Sequence, residues 1–174
     1  MAVKAILSGG KVITENTDAA RELFKTSKFG ALLPDQRVEL SMLEALYLEE
    51  KKRIMVFNGS KKQIPIDDLL KKARKGVKDF WVRYCVFKDL RNRGYIVKTA
   101  LKFGADFRVY DKGIKPGEDH AKWIVFPSSE KERFTWQEFS AKNRVAHSTK
   151  KNLLLAIVDD EGDVSYWETR WLKP

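Results

Sequence analysis

One cysteine, two histidines and a shortage of acid set the first limits on this 174-residue chain. A lone Cys85 excludes an internal disulfide framework and any zinc site built on cysteine. Lying between Tyr84 and Val86 in an apolar run, it reads as a small core residue rather than a nucleophile. No apolar stretch reaches the roughly 18 residues that a membrane span needs. The opening MAVKAILSGG lacks the apolar core of a secretory signal. These absences predict a soluble, cytoplasmic protein. Repeats, low-complexity tracts and long linkers are missing too, and a hydrophobic content of 43% is ordinary for one large or two small globular domains.

The acid deficit is the strongest compositional signal. Against 24 Asp and Glu stand 34 Lys and Arg, a formal net charge of +10. Such a balance implies a polyanionic partner, nucleic acid before an anionic membrane surface. No long basic amphipathic helix with an aromatic face is present to favour the membrane. Charged residues at 33% also fit the dense surface ion pairing of thermophile proteins.

Local patterns predict an α/β (α+β) chain in two domains, 1–78 and 79–174. The first opens with a hairpin through Thr14, turning at Gly9 and Gly10. A short helix starts at Thr17 and Asp18, a strand covers Arg37 to Leu40, and Ser41-Met-Leu-Glu44 is a capping box for a helix to about Lys52. Ile54 to Phe57 reads as a strand, and a helix begins near Asp67. The second domain opens with a long helix from about Val77 to Arg93, where Phe80, Tyr84, Phe87 and Leu90 recur at helical spacing and Gly94 is a natural stop. Strands follow at Tyr95–Thr99, Ala105–Tyr110 and Trp123–Phe126. Thr135-Trp-Gln-Glu138 caps a helix to about Lys150, and strands at Leu153–Val158 and Val164–Trp167 close the chain. That order predicts a mixed sheet flanked by helices.

The chemistry-bearing side chains gather in this second domain. Tyr110 ends a strand whose alternation sets Phe107 and Val109 on one face and Asp106 and Arg108 on the other. Its position is the C-terminal edge, where ligands collect in open α/β sheets. His120 follows a loop containing glycine and proline. Arg144, His147 or Ser148, and Lys151 fall on one helix face, a row of cations suited to phosphate. A tyrosine, a histidine and a lysine so placed can move protons on a phosphodiester without a metal, so nuclease is the hypothesis to test. A metal-dependent cutter needs clustered carboxylates. Asp106 is one candidate, but WIVF brings no acid and Glu130 and Glu132 lie in a charged loop. The acidic turn Asp159-Asp160-Glu161-Gly162-Asp163 reads as a solvated hairpin loop or as a plug for a basic groove on another subunit.

GYIVKTALKFGADFRVYDKG, a histidine ten residues after the tyrosine, and RVAHSTKKNLLLAIVDDEGDVSYW together resemble the archaeal tRNA-splicing endonucleases. The resemblance is specific over about residues 84–174 and looser over the first domain, where LSMLEALYL fits. It implies a small N-terminal α/β domain followed by a nuclease-like catalytic domain, with Tyr110, His120 and Lys151 as the catalytic residues. The family pattern SVRK is here Ser148-Thr149-Lys150-Lys151, a charge-conserving change at Lys150. Arg144 matches an arginine that clamps a bulged base by cation–π stacking, and the other half of the clamp falls near Tyr166 or Trp167. Ser148 and Lys150 join the RNA-binding set.

The same resemblance implies the reaction, with no metal and no cofactor. Tyr110 takes a proton from a ribose 2′-hydroxyl, His120 protonates the departing 5′-oxygen, and Lys151 stabilises the phosphorane. Nearby cations, Lys151 among them, are expected to favour the tyrosine phenolate. The expected substrate is precursor tRNA folded as a helix between two bulges, read by shape and stacking. The expected assembly is a homotetramer, a dimer of dimers held partly by Asp159, Asp160, Glu161 and Asp163. The rival expectation is a structural or non-self-sufficient subunit of a heteromeric splicing enzyme.

Overall fold

The computed structural model describes residues 2–174. By its internal contacts the chain divides into two units, Met1–Phe80 and Trp81–Pro174. Among the described residues no helix is long and apolar enough to cross a membrane.

The first unit carries strands β1 (Val3–Ser8), β2 (Lys11–Thr14), β3 (Ala31–Leu32), β4 (Val38–Leu40) and β5 (Ile54–Phe57) in the order β3-β4-β2-β1-β5. Only the β1–β5 pair is parallel. Helices α1 (Asp18–Lys25), α2 (Met42–Glu50) and α3 (Ile66–Gly76) supply the apolar cover. Alternation in β1 follows the period of two: Val3 and Ala5 are buried, while Lys4 and the half-exposed Ile6 face outward. The Ser41 box forms as its sequence predicts, Ser41 Oγ accepting from Glu44 N while the Glu44 carboxylate accepts from Ser41 N at 2.9 Å. Glu44 has a second task, for its other oxygen accepts from Gly30 N at 2.8 Å. Gly30 sits at φ +65°, and a Cβ there would fall 2.4 Å from the Glu39 carbonyl oxygen. The two-residue strand β3, unforeseen in the sequence, follows Gly30 and is held at the sheet edge by pairing with β4, which needs Gly30 this close to the Glu39 backbone; it is too short for periodicity to reveal.

The second unit begins with α4 (Phe80–Asn92), three residues later than the apolar pattern predicts. Asp79 takes φ 55°, a left-handed turn that no helix continues through. Strands β6 (Ile96–Thr99), β7 (Phe107–Tyr110), β8 (Trp123–Ser129), β9 (Asn152–Val158) and β10 (Val164–Thr169) form a sheet in the order β10-β9-β8-β7-β6. Its neighbours are antiparallel except β8 and β9, which run parallel and are joined by the crossover helix α5 (Trp136–Ser148). Phe107 pairs with Val125, and Phe87 of α4 packs on Phe107 at 6.1 Å between ring centres, so α4 covers that face. Ile124, Phe126 and Leu153 point to the opposite face and pack with Ala146 of α5.

β8 runs three residues further than Trp123–Phe126, through Pro127. Its partner β7 reaches only Val125, so the missing Pro127 N–H deprives no β7 carbonyl. The second capping box forms at Thr135 and Glu138.

Replacing Gly30 with alanine combines a left-handed backbone with a clash against backbone oxygen. Gly30→Ala is expected to lower stability by roughly 2 kcal/mol or more in urea denaturation. A loss under about 0.5 kcal/mol, the size of an ordinary surface change, would mean that β3 is not held as described.

Candidate active site

Strand direction decides where the predicted residues meet. Tyr110 ends β7, and β8, antiparallel to it, starts at that same sheet edge. Because β9 is parallel to β8, with Trp123 opposite Asn152, β9 starts there as well. Tyr110, the 111–122 loop carrying His120, and Lys151 just before β9 therefore share one edge. They line a single cleft of about 390 Å³ with Phe103, Arg108, Gly117, Glu118, Asp119 and Ala121. α5 packs over β9. A larger hollow of about 690 Å³ lies on the first unit's sheet, but its lining of Lys4, Ile6, Ile13, Arg37 and similar residues holds no tyrosine or histidine.

Each of the three side chains is set by local structure. Tyr110 is only 4% exposed, with the Arg108 guanidinium 6.0 Å from its ring centre. His120 is exposed on a loop whose ends are tied by Lys122 N donating to the Val109 carbonyl at 2.9 Å and by an Asp111–Lys122 ion pair at 2.9 Å. The Lys122 side chain holds the Asp111 carboxyl below its ordinary range, with the Lys112 backbone N–H contributing. The His120 N–H donates to Asp119 Oδ1 at 2.6 Å.

Lys151 is placed by the end of α5. Lys150 adopts φ 56°, its N–H donates to the His147 carbonyl at 3.0 Å, and the Lys151 N–H donates to the Ala146 carbonyl at 2.9 Å. This is a Schellman termination with a lysine where glycine is usual. It turns Lys150 outward, exposed, and brings Lys151 into the cleft. Lys151 Nζ donates to the Thr149 carbonyl at 2.7 Å and stands 5.5 Å from the Phe103 ring centre. Burial, and then repulsion from Arg108, lower its pKa from the usual lysine value.

The remaining predicted residues are spread outside the cleft. Arg144 is exposed on α5, and Ser148 Oγ donates to the Val145 carbonyl at 3.0 Å. The His147 ring lies 4.6 Å from that of Trp171. Of the two clamp alternatives, Tyr166 is turned toward α4. Its hydroxyl donates to Asp89 at 2.7 Å, and burial pushes its pKa up, the Asp89 contact adding to the shift. Trp167 on the other face is 62% exposed. In the acidic turn Asp159 accepts from the Glu161 and Asp163 backbones, both at 2.9 Å, so it shapes the turn. Asp160 accepts from Lys131 Nζ at 2.6 Å. Asp106, the first carboxylate considered for a metal, lies 2.7 Å from Arg83. Among the described residues no three His, Cys, Asp or Glu side chains are grouped to hold an ion.

Sequence reasoning missed Arg108 as a member of the site. The signal was present: Arg108 and Tyr110 are two apart on a strand and so share a face.

A phenol, an imidazole and two cations in one open cleft can exchange protons around an anion. The chain belongs to the tRNA intron endonuclease family. Residues 3–70 match the tRNA intron endonuclease, N-terminal domain, and residues 80–166 match the tRNA intron endonuclease, catalytic C-terminal domain. A tRNA-splicing endonuclease of Pyrococcus horikoshii is 40% identical over 171 residues, covering 98% of this chain and 97% of that protein. The tRNA-splicing endonuclease of Nanoarchaeum equitans is 45% identical over 142 residues, covering 78% and 90%. That of Methanothermobacter thermautotrophicus is 38% identical over 167 residues, covering 95% and 96%.

The two adjacent lysines should separate cleanly. Lys150→Gly relieves a left-handed backbone and is expected to gain about 1 kcal/mol of stability. Lys151 carries a charge that the folded state disfavours, because its folded pKa is depressed. The penalty is therefore full below that depressed value and is relieved as pH rises from it toward roughly 10.4. Urea midpoints should show the wild type gaining on a Lys151→Met variant over that alkaline range. A gap independent of pH would mean that Lys151 titrates as an ordinary surface lysine.

Proposed function

We propose that this chain is a tRNA-intron endonuclease that cuts precursor tRNA at bulge-helix-bulge sites by transesterification through the ribose 2′-hydroxyl. The observation that carries the reading is the cleft shared by Tyr110, His120 and Lys151, three side chains whose chemistry complements a phosphodiester. The Tyr110 phenolate removes the 2′-hydroxyl proton. The 2′-oxygen bonds to phosphorus as the bond from phosphorus to the 5′-oxygen breaks, and His120, protonated, gives its proton to the leaving oxygen. Lys151 balances the charge on the non-bridging oxygens. Products are a 2′,3′-cyclic phosphate and a 5′-hydroxyl, with Tyr110 left protonated and His120 neutral. The nucleophile belongs to the substrate, so the scheme uses no metal or cofactor.

Arg144 with exposed Trp167 would grip an unpaired base by stacking, and Lys150 and Ser148 at the end of α5 would touch the backbone nearby. Two cuts at a fixed spacing require two active sites at a fixed spacing. A homotetramer arranged as a dimer of dimers would provide them, with the turn at Asp159–Asp163 docking by charge onto a basic groove of a neighbouring copy.

The direct test is a bulge-helix-bulge RNA incubated with the purified chain in chelator, beside a copy with 2′-deoxyribose at both cut sites. Only the all-ribose RNA should be cut, with cyclic phosphate ends. Tyr110→Phe and His120→Ala should each be slower by about 10²- to 10⁴-fold. Cutting of the deoxy copy would sink the mechanism, and no cutting of either would point to a chain that needs a partner subunit.

Assembly has its own measurement. Asp160→Lys combined with Asp163→Lys should lower the mass seen by light scattering. An unchanged mass would rule out docking through this turn.

A further inference from the structure

Arg108 is the cation of the cleft that the scheme above leaves without a task. It stands on β7 directly opposite Lys98 in the register with β6, and like charges placed so repel. It lines the cleft with Lys151 and lies over the Tyr110 ring. Its Nε is buried and has no hydrogen-bond partner. A buried donor left unpaired is costly, and such a group in a native fold calls for a reason, a bound ion among them.

The carboxylates nearest in the cleft are engaged within their own loop. Glu118 accepts from Lys115 N at 3.2 Å, and Asp119 accepts from His120 N at 2.6 Å. What would balance this arrangement is an anion held between Arg108 and Lys151.

We propose that Arg108 is a second phosphate-holding cation of the site, its guanidinium binding a non-bridging oxygen of the scissile phosphate opposite Lys151. The inference rests on the reading of the cleft as a phosphodiester site and extends it to a residue which that reading did not use. A guanidinium offers a planar fork of donors where an ammonium offers a point charge, so the two together fix the orientation of a phosphate as well as its charge. An anion entering the cleft would also relieve the mutual repulsion of Arg108 and Lys151.

Two measurements on the full chain decide the matter. In the first, inorganic phosphate is titrated while the side-chain nitrogen signals of Arg108 and Lys151 are followed by NMR. Both should shift along one saturation curve. In Arg108→Gln the Lys151 shift should need roughly tenfold more phosphate or beyond, the loss expected for one charge-assisted contact. An Arg108 signal that stays still, or an Arg108→Gln variant that binds phosphate as tightly as the wild type, would overturn the proposal. Should the variant fail to fold, the wild-type Arg108 signal still decides.

The second measurement is single-turnover cleavage of the bulge-helix-bulge RNA. Arg108→Gln should be slower by about 10- to 100-fold and Arg108→Lys, which keeps the charge but not the fork, should recover part of the rate. Equal losses in both variants with phosphate binding unchanged would mean that Arg108 merely props the Tyr110 ring. Failure of the wild type to cut would count against a self-sufficient nuclease and point to a chain that needs a partner subunit, while the phosphate titration would still show whether Arg108 and Lys151 share an anion.

Discussion

The parallel pairing of β8 with β9 is the constraint on which the site depends. In an otherwise antiparallel sheet, a seven-residue β9 running the other way would start at the far edge. Lys151 would then stand about 20 Å from Tyr110, at roughly 3.3 Å of rise per residue. Parallel pairing forces a crossover, and α5 is that crossover. The apolar contact of Ala146 with Ile124 and Leu153 holds the helix to the sheet and so carries Lys151 back to the edge where β7 ends. A few buried side chains between α5 and the sheet thus set the spacing of the groups that line the cleft.

Around that frame, small devices aim individual side chains. The Schellman turn decides which of two neighbouring lysines enters the cleft, a choice that charge alone could not make. Asn143, buried on α5, accepts from Thr169 Oγ1 of β10 at 2.9 Å and donates to the Phe139 carbonyl at 3.2 Å, a polar tie between helix and sheet. The Asp111–Lys122 pair closes the base of the loop that presents His120. The ion pair is exposed and weak in itself. Its use is to bring together the ends of a loop that contains Gly113 at φ 84° and Gly117 at φ 96°, and that would otherwise roam.

Much of this was legible in the sequence, and the parts that were not share a cause. The two capping boxes, the apolar face of α4 and the strand ending at Tyr110 are local patterns, and local physics writes them into short windows. The meeting of Tyr110 with Lys151, forty-one positions later, is not local. The residues alone offered candidates, and the family resemblance joined them. The general preference of ligands for strand C-termini pointed to the end of β7 where the cleft lies but does not cover β8 and β9, whose N-termini form the same edge. Arg108 escaped for a different reason. Its place beside Tyr110 followed from alternation, but its burial and unpaired nitrogen exist only in three dimensions. Asp79 and Pro127 shifted element boundaries because one backbone angle and the reach of one neighbouring strand outweighed the periodic pattern.

The cleft also carries a cost that structure alone would not select. Two cations that repel each other, a lysine partly withdrawn from water and a guanidinium nitrogen without a partner all work against folding. Neutral side chains of similar size would remove each of these penalties. A site held at such a disadvantage makes sense if its charges are balanced only when an anion is present, because binding then returns the energy that the empty fold gives up. The same reasoning separates this cleft from the larger hollow on the first unit's sheet. That hollow brings lysines and an arginine beside Ile6, Ile13 and Phe57, but none of these side chains is among the described residues with an unpaired buried donor. Positive charge on a surface attracts an anion. Positive charge crowded and partly dried prepares a place for one.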